Sequence, residues 1–463
     1  MNDRFPAEIF KAYDIRGIVD KTLTVDMTYQ IGQSIGTEAI NHNQTAIIVG
    51  RDGRLSGPKL AKALSDGIRS TGLDVVDIGV APTPVVYFAS YSLGIPSCVA
   101  ITGSHNPPDY NGFKMVINGM TLSAERIQTI RQRIQDSSFV VAPSETTGTY
   151  SSREIIPEYL DTIVADVKLA RQIKLVIDCG NGVAGAVAPQ LFERLGCDVT
   201  TLYGEVDGNF PNHHPDPSQI ENLQDLIKAV KDQGAELGFA FDGDGDRLGV
   251  VTAEGNVIWP DRQMILFARD VLERNPAAEI IYDVKCSRTL PREIEAAGGK
   301  ATMWRTGHSF IKGKLKETGA QLAGEMSGHI FFKERWYGFD DGSYAGARLI
   351  ELLSKMDQSP TDVFNALPDS VNTPELRIEM QEGEHYVFMN EMIENASFDD
   401  AKVSTMDGIR VDFDDGFGLI RPSNTTPILV LRFEADDTAA LERIQSRFRS
   451  LITGTRPDVV PPF

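Results

Sequence analysis

The chain has 463 residues and a formal net charge of −20, with 41% hydrophobic and 24% charged residues. That length is too great for one hydrophobic core and points to three or four domains. The acidic balance excludes a general binder of nucleic acid or anionic membrane, while leaving room for small anions met by locally gathered basic groups. No window approaches the ~18 apolar residues of a membrane span, and the first residues carry no apolar signal core. Cys98, Cys179, Cys197 and Cys286 are scattered without a C-x-x-C pair. Free, buried thiols in a reducing cytoplasm are therefore expected.

In chain order, residues 11–17 (K-A-Y-D-I-R-G) place Tyr13 and Arg16 in a short polar stretch before the first helix. Three segments then share one plan. The first has a strand over 45–49, a helix over 59–70, a strand over 72–78 and a third strand over 97–101. The second repeats this with strands at 174–178, 196–202 and 236–241, and a helix ending at Leu195. The third has strands at 279–284, 298–304 and 320–323, with a helix ending at Ala297. Strands alternating with helical patterns of this length indicate α/β units with largely parallel sheets. The last part differs. Residues 407–413 alternate like a hairpin strand, 414–418 supply the turn, 428–433 form a second strand, and a helix over 438–451 closes the chain. Residues 358–374 carry three prolines and read as a linker.

The expected architecture is three related α/β domains, 1–150, 151–254 and 255–365, with mixed, largely parallel sheets. A smaller C-terminal α+β domain, 366–463, completes them around a central cleft. Each third strand runs into the most chemically loaded loop of its segment, and open α/β sheets bind ligands at the carboxyl ends of their strands.

The first loop, 102–114, reads T-G-S-H-N-P-P-D-Y-N-G-F-K. Ser104 stands at a strand end, with His105 and Lys114 in the same loop; the adjacent His105 side chain is expected to diverge from it. On its own the stretch reads equally as a polar turn. The G-x-S-x-G elbow of acyl-transfer hydrolases is absent, because Asn106 stands two places after Ser104. In the second loop, Asp242, Asp244 and Asp246 alternate with glycines and precede Arg247. Oxygen-only donors suit Mg²⁺ or Ca²⁺, and Arg247 in the sixth position and Ala253 in the twelfth rule out an EF-hand. The third loop, G-E-M-S-G-H, offers Glu325 and Ser327 to sugar hydroxyls and His329 to a phosphate or a proton, or else is a capped turn. R-P-S-N-T-T at 421–426 combines a guanidinium with hydroxyl and amide donors, the mixture a phosphate dianion needs, although a polar hairpin connection reads the same. Lys285 and His308 lie at strand ends of the third segment.

Taken together and in this order, T-G-S-H-N-P, D-G-D-G-D-R, G-E-M-S-G-H and R-P-S-N-T-T resemble the α-D-phosphohexomutase family over essentially the whole chain. With K-A-Y-D-I-R-G they are similar to its bacterial phosphomannomutase/phosphoglucomutase branch. The resemblance implies a reversible exchange of hexose 1-phosphate and hexose 6-phosphate, of mannose or glucose, through a hexose 1,6-bisphosphate. Ser104 would be carried as phosphoserine, with Mg²⁺ held by Asp242, Asp244, Asp246 and an oxygen of the phosphate on Ser104. Glu325 and Ser327 would hold the 3- and 4-hydroxyls of the sugar. Arg421, Ser423, Asn424 and Thr425 would grip the phosphate that is not reacting. Tyr13, Arg16, Lys114, Arg247, Lys285, His308 and His329 would line the cleft, with Lys114 the first candidate for general base and His329 the second. Sugar phosphates are the expected partners, without nucleic acid or membrane, for a cytoplasmic monomer. A phosphoglucosamine mutase is the sister reading; a Mg²⁺-dependent sugar phosphatase or a non-catalytic sugar-phosphate sensor are the readings outside the class.

Overall fold

The computed structural model describes residues 6–424 and 426–463. Its three α/β units repeat one sheet plan. In the first, Ala46–Arg51 lies between the parallel strands Asp74–Val80 and Cys98–Ile101. In the second, Lys174–Asp178 lies between Asp198–Leu202 and Leu237–Phe241. In the third, Glu279–Asp283 lies between Lys300–Trp304 and Leu322–Gly324. The parallel triplets match the sequence reading to within two residues at most ends.

The repeat is longer than the sequence suggested, because each third strand folds back into an antiparallel fourth. These are Tyr110–Ile117, Leu248–Thr252 and Ile330–Phe332. The loaded loops are thus hairpin connections, not open strand ends. Lys114 consequently lies on a strand opposite Ala100, not in the serine loop. The 11–17 stretch is also not merely loop: Ile15–Ile18 is an edge strand against Tyr110–Ile117, which seats Arg16 opposite Gly112. A Cβ on Gly112 would sit 2.1 Å from the Ile15 carbonyl oxygen, so this close pairing needs glycine.

The helices Val25–Asn41 and Gly57–Arg69 cross closely over the first sheet, where Gly32 meets the Leu64 carbonyl and Gly67 the Tyr29 carbonyl. One continuous apolar core then joins the three units, running through Phe88, Tyr159, Phe192, Phe239, Phe267 and Tyr344. Burying such aromatic side chains dominates core energetics, at about 1.5–3 kcal/mol each.

The C-terminal part has its own core around Phe388, Phe433 and Phe448. Its sheet is antiparallel in the order Val371–Asn372, Ile428–Ala435, Gly416–Pro422, Ile409–Phe413, Lys402–Ser404, and Leu376–Glu379 also pairs with Ile428–Ala435. The turn expected over 414–418 is shorter, since Gly416 already pairs with Phe413 and Ala435 and starts a strand that carries Arg421. The stretch read as a linker is partly built: Ser359 caps the helix Pro360–Asn365, Phe364 is buried in the main core, and Val371–Asn372 joins the C-terminal sheet. Between the third unit and this sheet, Val284 and Met303 pack against Phe417 and Leu419, and buried arginines add polar contacts. Arg410 donates to the carbonyls of Val284 and Cys286, and Arg432 to the Lys285 carbonyl and to Asp261. All four cysteines are buried and unpaired. Among the described residues, no helix is long and apolar enough to cross a membrane.

Candidate active site

The hairpin loops of the three units and the Arg421 strand face one cleft of about 930 Å³. Tyr13, Arg16, Ser104, Lys114, Arg247, Lys285, His308, Glu325, Ser327, His329, Arg421, Ser423 and Asn424 all line it. Thr425, expected in the phosphate grip, lies outside the described residues. An acidic chain has therefore gathered Arg16, Lys114, Arg247, Lys285 and Arg421 around one cavity, which raises the local concentration of anions.

Ser104 is 1% exposed and has φ of +50°, a left-handed backbone uncommon outside glycine and costly to hold. Thr102 Oγ1 accepts the Ser104 N–H at 2.7 Å and helps to impose that conformation. The hydroxyl donates to Asp242 Oδ2 at 3.1 Å. His105 does not diverge as expected: its Nδ1 lies 3.2 Å from Ser104 Oγ. The left-handed turn at Ser104 brings the two neighbouring side chains to the same side. Burial, followed by the charges of Arg247 and Arg16, holds His105 well below the ordinary imidazole range, so it is neutral.

Asp242, Asp244 and Asp246 are fully buried, with one oxygen from each within 4.8 Å of the others. Burial and then the charges of Asp246 and Asp244 push Asp242 well above the usual carboxylate range. Asp244 Oδ1 has no hydrogen-bond partner among the described residues, and Asp246 Oδ1 faces His329 Nε2 at 3.2 Å. Buried, unpartnered carboxylate oxygens are costly, and an all-oxygen cluster of this kind fits a hard divalent cation. The other oxygens of the same residues are held by Lys114, whose Nζ lies 2.7 Å from Asp244 Oδ2 and 2.5 Å from Asp246 Oδ2. Burial disfavours the Lys114 ammonium, but Asp244 and Asp246 outweigh it and raise its pKa above the ordinary lysine value.

The second and third loops are joined. Arg247 and His329 form an antiparallel bridge, and Leu248 N–H donates to the Gly328 carbonyl at 3.2 Å. His329 Nε2 lies 3.2 Å from Asp246 Oδ1, and Nδ1 lies 3.3 Å from Glu325 Oε2 and 3.0 Å from Ser327 Oγ. Burial works against its charge, but Asp246 and Glu325 prevail and push it up to about 9. At neutral pH His329 is thus an imidazolium. As arranged here, Lys114 and His329 both carry the proton. They neutralise anions and donate protons, and a base role for Lys114 requires that it first part from its two carboxylates.

At the other end of the cleft Arg421 is oriented by Asp407, with Nε at 2.9 Å from Oδ2, and Asp407 also accepts the Thr306 N–H at 2.9 Å. Lys285 Nζ pairs with Glu375 at 3.2 Å, and Ser423 Oγ lies 3.0 Å from Thr426 Oγ1. His308 stays neutral, since burial and then Lys312 and Lys114 depress it, and it packs edge-on against Tyr13. Asp407, Glu375 and Asp14, which ion-pairs with Arg16, were not found from the sequence. Only Asp14, two residues before Arg16, had a local signal.

Family models for phosphoglucomutase/phosphomannomutase match the chain in series: α/β/α domain I at residues 7–141, domain II at 157–255, domain III at 259–371 and the C-terminal domain at 375–451. The chain is 53% identical over 458 residues to a phosphomannomutase/phosphoglucomutase of Pseudomonas putida, covering 99% of this chain and 98% of that one. It is 55% identical over 457 residues to a phosphoglucomutase of Neisseria gonorrhoeae, covering 98% of each. A crystal structure of a phosphoglucomutase/phosphomannomutase family protein from Burkholderia thailandensis superposes with a TM-score of 0.93 at 52% identity, covering 99% of this chain and 100% of that one. With four serial domain matches and full-length relatives above half identity, this chain belongs to the phosphoglucomutase/phosphomannomutase family of α-D-phosphohexomutases.

Proposed function

We propose that the chain interconverts hexose 1-phosphates and hexose 6-phosphates, with glucose and mannose as the sugars and Ser104 as the phosphate carrier. The observation that carries this is Ser104 Oγ, 3.1 Å from the carboxylate triplet and facing a cleft with cations at both ends. Phosphoserine gives its phosphoryl group to the free hydroxyl of a hexose monophosphate: the new P–O bond forms as the P–Oγ bond breaks, and the proton lost by the hydroxyl is balanced by one gained at Ser104 Oγ. The resulting 1,6-bisphosphate turns end for end, and Ser104 Oγ then takes the other phosphoryl group, restoring phosphoserine and releasing the isomeric monophosphate. The cleft is near the upper end of the about 300–1,000 Å³ usual for small ligands, which leaves room for that turn.

Phosphoryl transfer depends on positioning and charge neutralisation. Arg247, Arg16, Lys114 and His329 would neutralise the reacting phosphate; Lys285, Arg421, Ser423, Asn424 and Thr425 would hold the distal one. Tyr13, His308, Glu325 and Ser327 would meet the sugar between them. Asp242, Asp244 and Asp246 would hold Mg²⁺, which when bound offsets charge on the transferred phosphate. We further propose four domains close to 1–150, 151–254, 255–365 and 366–463, in a cytoplasmic monomer.

The test is turnover of glucose 1-phosphate, mannose 1-phosphate and glucosamine 1-phosphate side by side, with Mg²⁺ and a trace of hexose bisphosphate. Rapid conversion of the first two and slow conversion of the third is expected; preference for glucosamine 1-phosphate would reassign the substrate. A second expected result concerns Gly243. A Cβ there would lie 2.4 Å from the Ser104 carbonyl oxygen, forcing the serine loop away from the aspartate loop. Gly243→Ala should lower kcat by about 100-fold, the scale of a misplacement near 1 Å. Steady-state kinetics beside an unchanged circular dichroism spectrum would check it.

A further inference from the structure

We propose that Arg54, together with Asp52, is a positioning residue for phosphoryl transfer: it fixes the backbone that presents Ser104. The inference rests on the phosphate-carrier reading of Ser104. Arg54 is 1% exposed and does not reach the reacting oxygen. Its guanidinium has five N–H donors, and it makes five hydrogen bonds. Nε donates to Asp52 Oδ2 at 3.1 Å. Nη1 donates to the carbonyls of Pro107 at 2.5 Å and Tyr110 at 3.0 Å. Nη2 donates to the carbonyls of Ser104 at 2.8 Å and Asn106 at 2.6 Å. Four carbonyls between 104 and 110 thus converge on one rigid, planar group.

Asp52 completes the clamp from the other side. Its Oδ2 accepts the Thr102 hydroxyl at 2.8 Å and the Gly103 N–H at 3.2 Å, and Thr102 Oγ1 accepts the Ser104 N–H. The peptide of Ser104 is therefore fixed at both its N–H and its carbonyl, which explains how a non-glycine residue holds φ of +50°. Space is equally constrained: a Cβ on Gly103 would lie 2.4 Å from Arg54 Cζ. The second α/β unit closes over the clamp. The Phe210 ring centroid lies 5.2 Å from Arg54 Cζ, and a Cβ on Gly208 would meet the Arg54 Cα at 2.7 Å. Because Gly243 of the aspartate loop touches the Ser104 carbonyl, this buried group also sets the register between the nucleophile and Asp242.

Arg54→Lys keeps the charge but replaces a planar five-donor fork with a tetrahedral group of three donors. Kinetics are measured per site phosphorylated, with 32P-labelled glucose 1,6-bisphosphate reporting the label on Ser104. The expected result is a fall in kcat of about 100-fold with KM for glucose 1-phosphate held within about threefold. Loss of label to water relative to transfer should rise. A purely architectural role would reduce the amount of folded enzyme without this split. Folded Arg54→Lys enzyme with kcat within about threefold of wild type overturns the proposal. If the variant does not fold, Thr102→Val, nearly the same shape, decides: it removes the bond to the Ser104 N–H. A kcat lowered at least about tenfold at constant KM supports the clamp, and an unchanged kcat overturns it. Wild-type enzyme that never takes label on Ser104 would instead overturn the carrier reading.

Discussion

Ser104→Ala is expected to reduce mutase turnover by about 10⁴-fold or more while changing glucose 1-phosphate affinity only a few-fold. The asymmetry follows from where the serine sits. Its hydroxyl touches Asp242 and His105, whereas Lys285, Arg421, Glu325 and Ser327 line other parts of the cleft. Removing one oxygen takes away the carrier and leaves those groups in place. Steady-state turnover, calorimetric binding and 32P labelling from glucose 1,6-bisphosphate check the three parts of this expectation. Turnover within tenfold of wild type, or label retained elsewhere in the chain, would exclude Ser104 as the carrier.

The repeat was legible because its parallel strands are short apolar runs that end in glycine-bearing turns, and because chemically loaded residues follow each third strand. Lys174–Asp178 and Leu237–Phe241 show the pattern clearly. The antiparallel fourth strands were not legible, for a physical reason. Tyr110–Ile117 carries Asn111, Gly112 and Lys114 at buried positions, so period-two alternation is broken by the same residues that build the site. Gly416–Pro422 was obscured in the same way, since two glycines and Pro422 look like turn chemistry. The motif residues that face the cleft were recognisable as clusters in sequence. Their buried counter-charges were not, because Asp407 reaches Arg421 and Glu375 reaches Lys285 only through packing of separate elements. Arg54 is the clearest case: it lies 50 residues before Ser104 in a turn of ordinary composition, and only the fold discloses its four carbonyl partners.

Stripping divalent metal should lower turnover at least about 10³-fold, and Mg²⁺ should restore it; this is the scale expected when charge stabilisation of a phosphoryl group is lost. Three carboxylates are crowded here in full burial, and one of them, Asp242, is driven toward its neutral form by that burial and then by the other two. Lys114 compensates one oxygen each of Asp244 and Asp246, leaving Asp244 Oδ1 unpartnered among the described residues and Asp246 Oδ1 facing His329. A divalent cation relieves that crowding, so binding and stability are linked. At a Mg²⁺ concentration 100 times its dissociation constant, stability should rise by about 2.7 kcal/mol, visible as a higher melting temperature. Asp244→Asn should weaken that response and turnover together, whereas Ser104→Ala should keep most of the thermal response while losing turnover. The two variants therefore separate holding the cation from carrying the phosphate. Normal turnover by a metal-free preparation would sink the assignment of the triplet, and an absent thermal response with intact metal dependence would place the cation on other groups.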